Sequence, residues 1–416
     1  MLQTWVIVTV SVVYLGVLFA VAFYGDRRAD AGRSLINNAT IYALSFAVYN
    51  TAWSFYGSVG QAATAGVGGF LPIYLGPTVM LALGWLVLRR IIRVSRRHRI
   101  TSLSDFVSAR YGKSALLGGL VTVVAVIGIV PYIALQLKAV SNTFEIIRRY
   151  PRITSPSELG HTPLFQDTGL YVALLLAAFT ILFGTRHLDA TERHEGMVAA
   201  IAFESVVKLM AFLAVGIFVT FGVFGGFGDV FAQATDARLT SVFTLEETSY
   251  GTWVWLTVLS MLAIVLLPRQ WQISVVENVD EKHLKRAMWL FPLYLFANSV
   301  FMLPITAGGL LQFGADVDAD TYVLAMPMAE GQQALALFVF IGGVSAATGM
   351  IIVEAIALST MVSNSLVMPL LLRGTSRLTR RDDLSGLVLG IRRATIVLIL
   401  LLGYAYFRFA GEGNRW

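Results

Sequence analysis

The chain contains no cysteine and only five histidines. Disulfides, thiolate nucleophiles and cysteine-ligated metals are thereby excluded, while the redox compartment stays open. Charge is scarce as well: 13% of residues are Asp, Glu, Lys or Arg and 56% are apolar, against about 25% and 45–50% in soluble domains. A soluble globular domain is excluded. There is no Pro-rich linker, charge block or low-complexity stretch, so all 416 residues read as one membrane domain, with no soluble module.

What is present is a series of apolar runs. About 20 such residues span the hydrocarbon layer, and ten runs qualify, near 4–24, 40–60, 70–92, 115–145, 168–185, 197–224, 251–272, 287–311, 334–360 and 394–410. The fold class expected is an all-α polytopic membrane protein. The first run is longer than a signal-peptide core and lacks a basic n-region, so it reads as a retained span. Most of the 31 basic residues fall in loops 25–39, 89–113, 186–196, 273–286 and 373–393. By the positive-inside rule those loops are cytoplasmic. Loops 61–69, 146–167, 225–250 and 312–333, with Arg148, Arg149, Arg152 and Arg238 but also Glu246, Glu247, Asp316, Asp318 and Asp320, then face outside with the N-terminus. The net charge of +6 therefore speaks of orientation, not of nucleic acid.

Three motifs fail on inspection. Gly112-Lys113-Ser114 ends like a phosphate loop, but Val107 stands where its first Gly is required. His194-Glu195 lacks a second His at Val198, as a zinc helix requires. Asp316-Val317-Asp318-Ala319-Asp320 begins like a calcium loop, but Thr321 and Pro327 replace its Gly and its bidentate Glu. No nucleophile or His/carboxylate cluster lies within the spans, which argues against an intramembrane enzyme.

The informative residues are the ionisable ones inside spans, where burying a charge costs about 2.5–3.5 kcal/mol even on insertion scales. Lys138, Glu204, Lys208 and Glu354 qualify. Glu204 and Lys208, at i and i+4, share a helix face and are placed to neutralise each other, either as a structural bridge or in an ion path. Glu354 has Met350 and Leu358 at ±4 and needs a partner from another helix; Lys138 is one candidate, unless either side chain snorkels. The second span mixes small, hydroxyl and aromatic residues, with Asn50-Thr51 the candidate break of the kind that holds ion and substrate in transporters. Gly342-Gly343-Val344-Ser345-Ala346-Ala347-Thr348-Gly349 repeats the character on the ninth span, and Pro268 lies near the inner end of the seventh. Close helix packing is the alternative for those small residues.

Four blocks carry a resemblance: Asn50-Thr51-Ala52-Trp53-Ser54-Phe55-Tyr56-Gly57; Arg193-His194-Glu195-Gly196-Met197 with Phe203-Glu204-Ser205; Pro268-Arg269-Gln270-Trp271 with Val276-Glu277-Asn278; and Phe291-Pro292-Leu293-Tyr294-Leu295. In this order the chain resembles the sodium/solute symporter family. It is most similar to the symporter-like input domain of bacterial sensor histidine kinases of the histidine-sensing or transporting type. The resemblance implies an inverted five-plus-five-helix repeat preceded by one extra span, in the bacterial inner membrane. Spans seven to ten supply only four helices of the second repeat, so the last core helix is expected to be missing. Any kinase module, with its response regulator, is expected after residue 416.

The resemblance also implies roles. Substrate is expected at Asn50, Thr51, Trp53, Tyr132, Ser260 and Pro268, to which Gln136, one turn from Tyr132, is added. Ion coupling is expected at Ala47, Asn50, Glu204, Lys208, Ser345, Thr348 and Glu354. Relatives hold sodium on carbonyls near Ala47 and Asn50 and on adjacent hydroxyls of the ninth span. Here those hydroxyl positions are Thr348 and Gly349, so one oxygen is lost unless Ser345 compensates, and a hard cation is held by oxygens. In some proton-coupled relatives a Lys on this helix stands in for sodium, which makes Lys208 or Glu354 the candidate for proton coupling. The function implied is secondary transport of a small solute, an amino acid such as histidine, coupled to H+ or Na+ and without other cofactors, as input to a two-component kinase. The alternatives are a stand-alone symporter and a sensing domain with little net transport.

Overall fold

The computed structural model describes residues 3–151, 163, 167–184, 193–245, 248–314, 317–374 and 384–409. Arg152, Glu246, Glu247 and Asp316, used in the loop reading above, lie outside the described residues. The described chain is almost entirely helical, as a lipid environment requires, since only helices satisfy every backbone group within one segment. Among the described residues, seven helices are long and apolar enough to cross a membrane, or eight if a pair bent by 53° counts as one span, and two shorter apolar helices cover 39–49 and 168–182. Together they fall on the ten expected positions. The chain is a multi-pass membrane protein.

The helices run α1 (Thr4–Asp30), α2 (Ala39–Tyr49), α3 (Trp53–His98), the short α4 (Leu103–Arg110), α5 (Ala115–Arg149), α6 (Thr168–Gly184) and α7 (Glu195–Val223). After these come α8 (Phe227–Asp236), α9 (Tyr250–Leu266), α10 (Pro268–Val276), α11 (Glu281–Phe313), α12 (Tyr322–Ala329), α13 (Gln333–Leu372) and α14 (Ser385–Phe409). The gap expected at 61–69 between the second and third spans narrows to a single kink inside α3, whose two helical parts together run over 46 residues. A straight helix of that length measures about 69 Å at 1.5 Å per residue, more than twice the hydrocarbon thickness. Gly66 resolves this with a left-handed kink, φ 59° and ψ −152°, which divides α3 between two spans.

The architecture is the inverted five-plus-five repeat with one extra N-terminal span. The first set begins with the interrupted helix α2/α3 and continues through α5, α6 and α7. The second begins with the bent pair α9/α10 and, among the described residues, continues through α11, α13 and α14. Peripheral α1 has 22% of its apolar window buried, against 89% for central α13. The central position requires small side chains. A Cβ at Gly342 would stand 2.5 Å from Ala211 Cβ and 3.0 Å from the Phe55 ring, and one at Gly343 would overlap Tyr56. For these two glycines, close helix packing is what the structure shows.

The basic loops collect on one face. Arg89 and Arg93 pair with Glu281 at 3.0 Å, and Arg96 and Arg193 both donate to the Asn278 carbonyl, at 2.6 and 3.1 Å. On the opposite face Gly66 lies against the Ser241 and Thr244 carbonyls, and Gly60 against Asp320. The loops thus segregate into the two sets that the charge count separated.

Candidate functional site

The site is built on two interruptions. In the first, α2 tightens into a 3-10 turn over Phe46–Tyr49, Asn50 is extended (φ −78°, ψ 102°), and the chain re-enters helix after Thr51. The expected break is therefore where Asn50-Thr51 placed it. In the second, Leu267 is extended (φ −74°, ψ 132°) and Pro268 opens α10, where its missing N–H costs nothing.

A buried break must find partners for its free backbone groups. Gln136 Oε1 accepts from Ala52 N at 2.9 Å, and Ser54 Oγ donates to the Thr51 carbonyl at 2.8 Å. The carbonyls of Ala47 and Asn50 both accept from Lys208 Nζ, at 2.6 and 2.5 Å. Thr51 Oγ1 bonds the Tyr132 hydroxyl at 2.8 Å. Residues 47, 50, 51, 132, 136 and 208 are thus one constellation around the first break.

Glu204 and Lys208 do not neutralise each other directly. The ammonium turns to the broken helix, while Glu204 turns to α13, accepting from Thr348 Oγ1 at 2.6 Å and leaving its other oxygen, Oε2, without a partner. One helical face presents both residues, but two neighbouring helices draw them apart. A Cβ at Gly349 would lie 2.5 Å from Glu204 Oε2, so the carboxylate occupies the space of the hydroxyl that the resemblance finds missing. Ser345 Oγ donates to the Glu204 backbone carbonyl at 3.0 Å and ties α13 to α7, a bond that leaves the lone pairs of the hydroxyl oxygen uncommitted.

Glu354 has its partner from another helix, and it is Arg269, not Lys138. Arg269 Nη1 donates to Glu354 Oε2 at 3.0 Å, with the two side chains 3% and 0% exposed. The guanidinium lies 4.8 Å from the centroid of the Tyr132 ring. Lys138 is half-buried farther along α5, where its charge acts on Asp320. Of the remaining expected substrate residues, Ser260 is set in the crossing of α9 and α3, its Cβ 2.7 Å from where a Cβ of Gly76 would be. Trp53 rests its indole on Gly57, 3.0 Å from where a Cβ would stand. Pro268 remains at the second break.

Sequence reasoning missed Arg269, Tyr294 and Asn298. Tyr294 OH donates to the Ser205 carbonyl at 2.9 Å, and Asn298 Nδ2 to the Tyr74 hydroxyl at 3.1 Å. With Asn50, Thr51, Ser54 and Lys208, the Tyr294 and Asn298 side chains line a crevice with no room for a water molecule, so the site is closed to a ligand of ordinary size. The signal was available: Tyr294 lies in one of the four blocks, and Arg269 is an ionisable residue beside the helix-breaking Pro268. Among the described residues no three His, Cys, Asp or Glu side chains group as a metal site, and the donors gathered here are hard oxygens.

No family model matches the chain. An uncharacterized symporter, YhjB, of Bacillus subtilis (strain 168) is 24% identical over 332 residues, 76% of this chain and 63% of its own length. A second from the same organism, YodF, is 33% identical over 98 residues, 23% of this chain and 19% of its own length. The chain thus spans less than two thirds of the length of these relatives. A Na+-coupled sialic acid symporter, in a substrate-bound outward-open state, superposes with TM-score 0.68 at 15% identity, covering 99% of this chain and 81% of that one. MhsT in complex with L-phenylalanine gives 0.53 at 13% identity, covering 91% and 81%. The fold is that of a symporter. Both curated relatives are named as symporters and not as enzymes, in keeping with spans that carry no nucleophile motif.

Proposed function

We propose that the chain is the transport core of a secondary symporter for a small solute, an amino acid of the histidine type, in which a proton drives uptake. The observation that carries coupling is the position of Lys208 Nζ, on the Ala47 and Asn50 carbonyls at 2.6 and 2.5 Å. Those carbonyls are where the sequence resemblance expects sodium, and an ammonium with three donors supplies the same positive charge. Deprotonation would free both carbonyls and loosen α7 from the broken helix; reprotonation would restore the contact. Sodium, to which the sialic acid symporter is coupled, is the other candidate, and the hydroxyl lost at Gly349 speaks against it here.

The amino-acid reading is supported by the two helix breaks, since transporters hold polar solutes at discontinuous helices near the midplane. The bacterial inner membrane, with the N-terminus outside, is supported by the charge of the loops. A signalling role, as input to a sensor histidine kinase and its response regulator, rests on the resemblance of the four blocks alone. The deciding experiment is uptake of radiolabelled L-histidine and other L-amino acids into proteoliposomes. Accumulation is expected with an inward proton gradient in sodium-free buffer, and Lys208→Met should remove its dependence on that gradient. Uptake that demands sodium and ignores a collapsed pH gradient would overturn proton coupling.

A further inference from the structure

The Arg269–Glu354 pair is chemically incomplete. An arginine and a carboxylate ordinarily meet fork to fork through two parallel bonds, yet here one side-chain bond joins Nη1 to Oε2 at 3.0 Å, with the Arg269 backbone N–H also directed at the Glu354 carboxylate. Arg269 Nε and Glu354 Oε1 are both buried without a partner. A buried ionic group left with an unused donor or acceptor is costly, and such groups in native proteins call for an explanation. The pair also occupies the place where a solute is expected. Arg269 follows Pro268 at the second break, and its guanidinium covers the ring of Tyr132, whose hydroxyl bonds Thr51 at the first.

We propose that Arg269 and Glu354 together form the receptor for a zwitterionic α-amino acid, its carboxylate on Arg269 Nε and its ammonium on Glu354 Oε1. This rests on the amino-acid reading above and deepens it. The two protein groups cancel in charge, so a ligand with a net charge would bring an uncompensated ion into a low-dielectric interior. A ligand carrying both charges adds none. Because the two groups already touch, their free atoms lie within a few ångströms of each other, the scale on which an α-amino acid separates its own charges. A simple acid would satisfy Nε and leave Oε1 bare; a simple amine would do the reverse. The side chain of the ligand plays no part in this recognition, which selects the class and leaves identity to other contacts.

The test is calorimetric titration of the full chain in lipid nanodiscs with the common L-amino acids. The tightest binder is then compared with its decarboxylated amine and its desamino acid. Each analogue is expected to bind the wild type on the order of 10- to 100-fold more weakly, as for loss of one hydrogen bond to a charged group. Glu354→Gln should weaken the amino acid on the same order and narrow its advantage over the desamino acid. Should that variant not fold, the neutral pair R269Q/E354Q replaces it, and the wild-type analogue series decides without any variant. Analogues that bind within threefold of the parent would overturn the receptor while leaving an amino-acid substrate in place; the free atoms would then be served by ordered water. Failure of every amino acid to bind would overturn the substrate reading, and the receptor with it.

Discussion

At the scale of single residues, two positions outside the helix breaks lend themselves to direct tests. Burial pushes the Asp320 carboxyl up to about 7 from an ordinary 3.8, with Asp318 adding to the rise and Lys138 opposing it. The folded state then keeps a proton that the unfolded state gives up near pH 4. Stability from this group is therefore present at low pH, is lost as pH rises from about 4 to about 7, and is level above that. Asp320→Asn should flatten that part of a thermal-unfolding pH series. A slope identical to wild type would remove Asp320 as its source. Gly66 combines positive φ with an approach to two carbonyls, its Cβ position lying 2.9 Å from the Thr244 oxygen and closer still to that of Ser241. Gly66→Ala should destabilise by about 1–3 kcal/mol, the usual cost of such backbone strain, read as a lower Tm in detergent.

At the scale of elements, two of the recognised blocks prove to be halves of one contact. The Glu277 carboxylate accepts from His194 N at 2.9 Å, meets His194 Nδ1 at 3.1 Å and accepts from Gln272 Nε2 at 2.8 Å. This fastens the start of α7 to the end of α10, on the face that carries the basic loops. Tyr42 OH adds a bond from α2 to the Ser274 carbonyl at 2.8 Å. Ser274 is fully buried beneath these contacts. Because the chain has no cysteine, S274C offers a single maleimide site, and Glu277→Ala should raise its labelling rate about tenfold, the equivalent of one hydrogen bond to a charged group. An unchanged rate would mean that these bonds do not hold the face closed.

The breaks themselves were legible. Asn50-Thr51 interrupts an apolar run with groups that compete for backbone hydrogen bonds, and Pro268 cannot continue a helix. Partners across the bundle were not legible. Arg269 and Glu354 are 85 positions apart, and nothing in the spacing along one chain favours Arg269 over Lys138. The i, i+4 rule correctly put Glu204 and Lys208 on one face, but tertiary partners that the rule does not see decided where each side chain points. The narrowing of the 61–69 gap to a kink at Gly66 was also hidden, since a glycine inside an apolar run reads equally as helix or as turn.

At the scale of the whole molecule, ten apolar segments, two interruptions and one extra span account for the fold, and composition alone had excluded everything soluble. What composition does not convey is that the bundle sets an ammonium of its own, that of Lys208, on the carbonyls of the first break. If Lys208 occupies the position that a free ion takes elsewhere, the occupant is tethered. Its local concentration is set by the length of a side chain and not by the medium, and even short flexible tethers correspond to about millimolar or more. Under the proton coupling proposed above, such a site would stay filled in fresh water and in brine alike, and each turnover would return the same ion to the same place, so that only the proton it carries would have to cross.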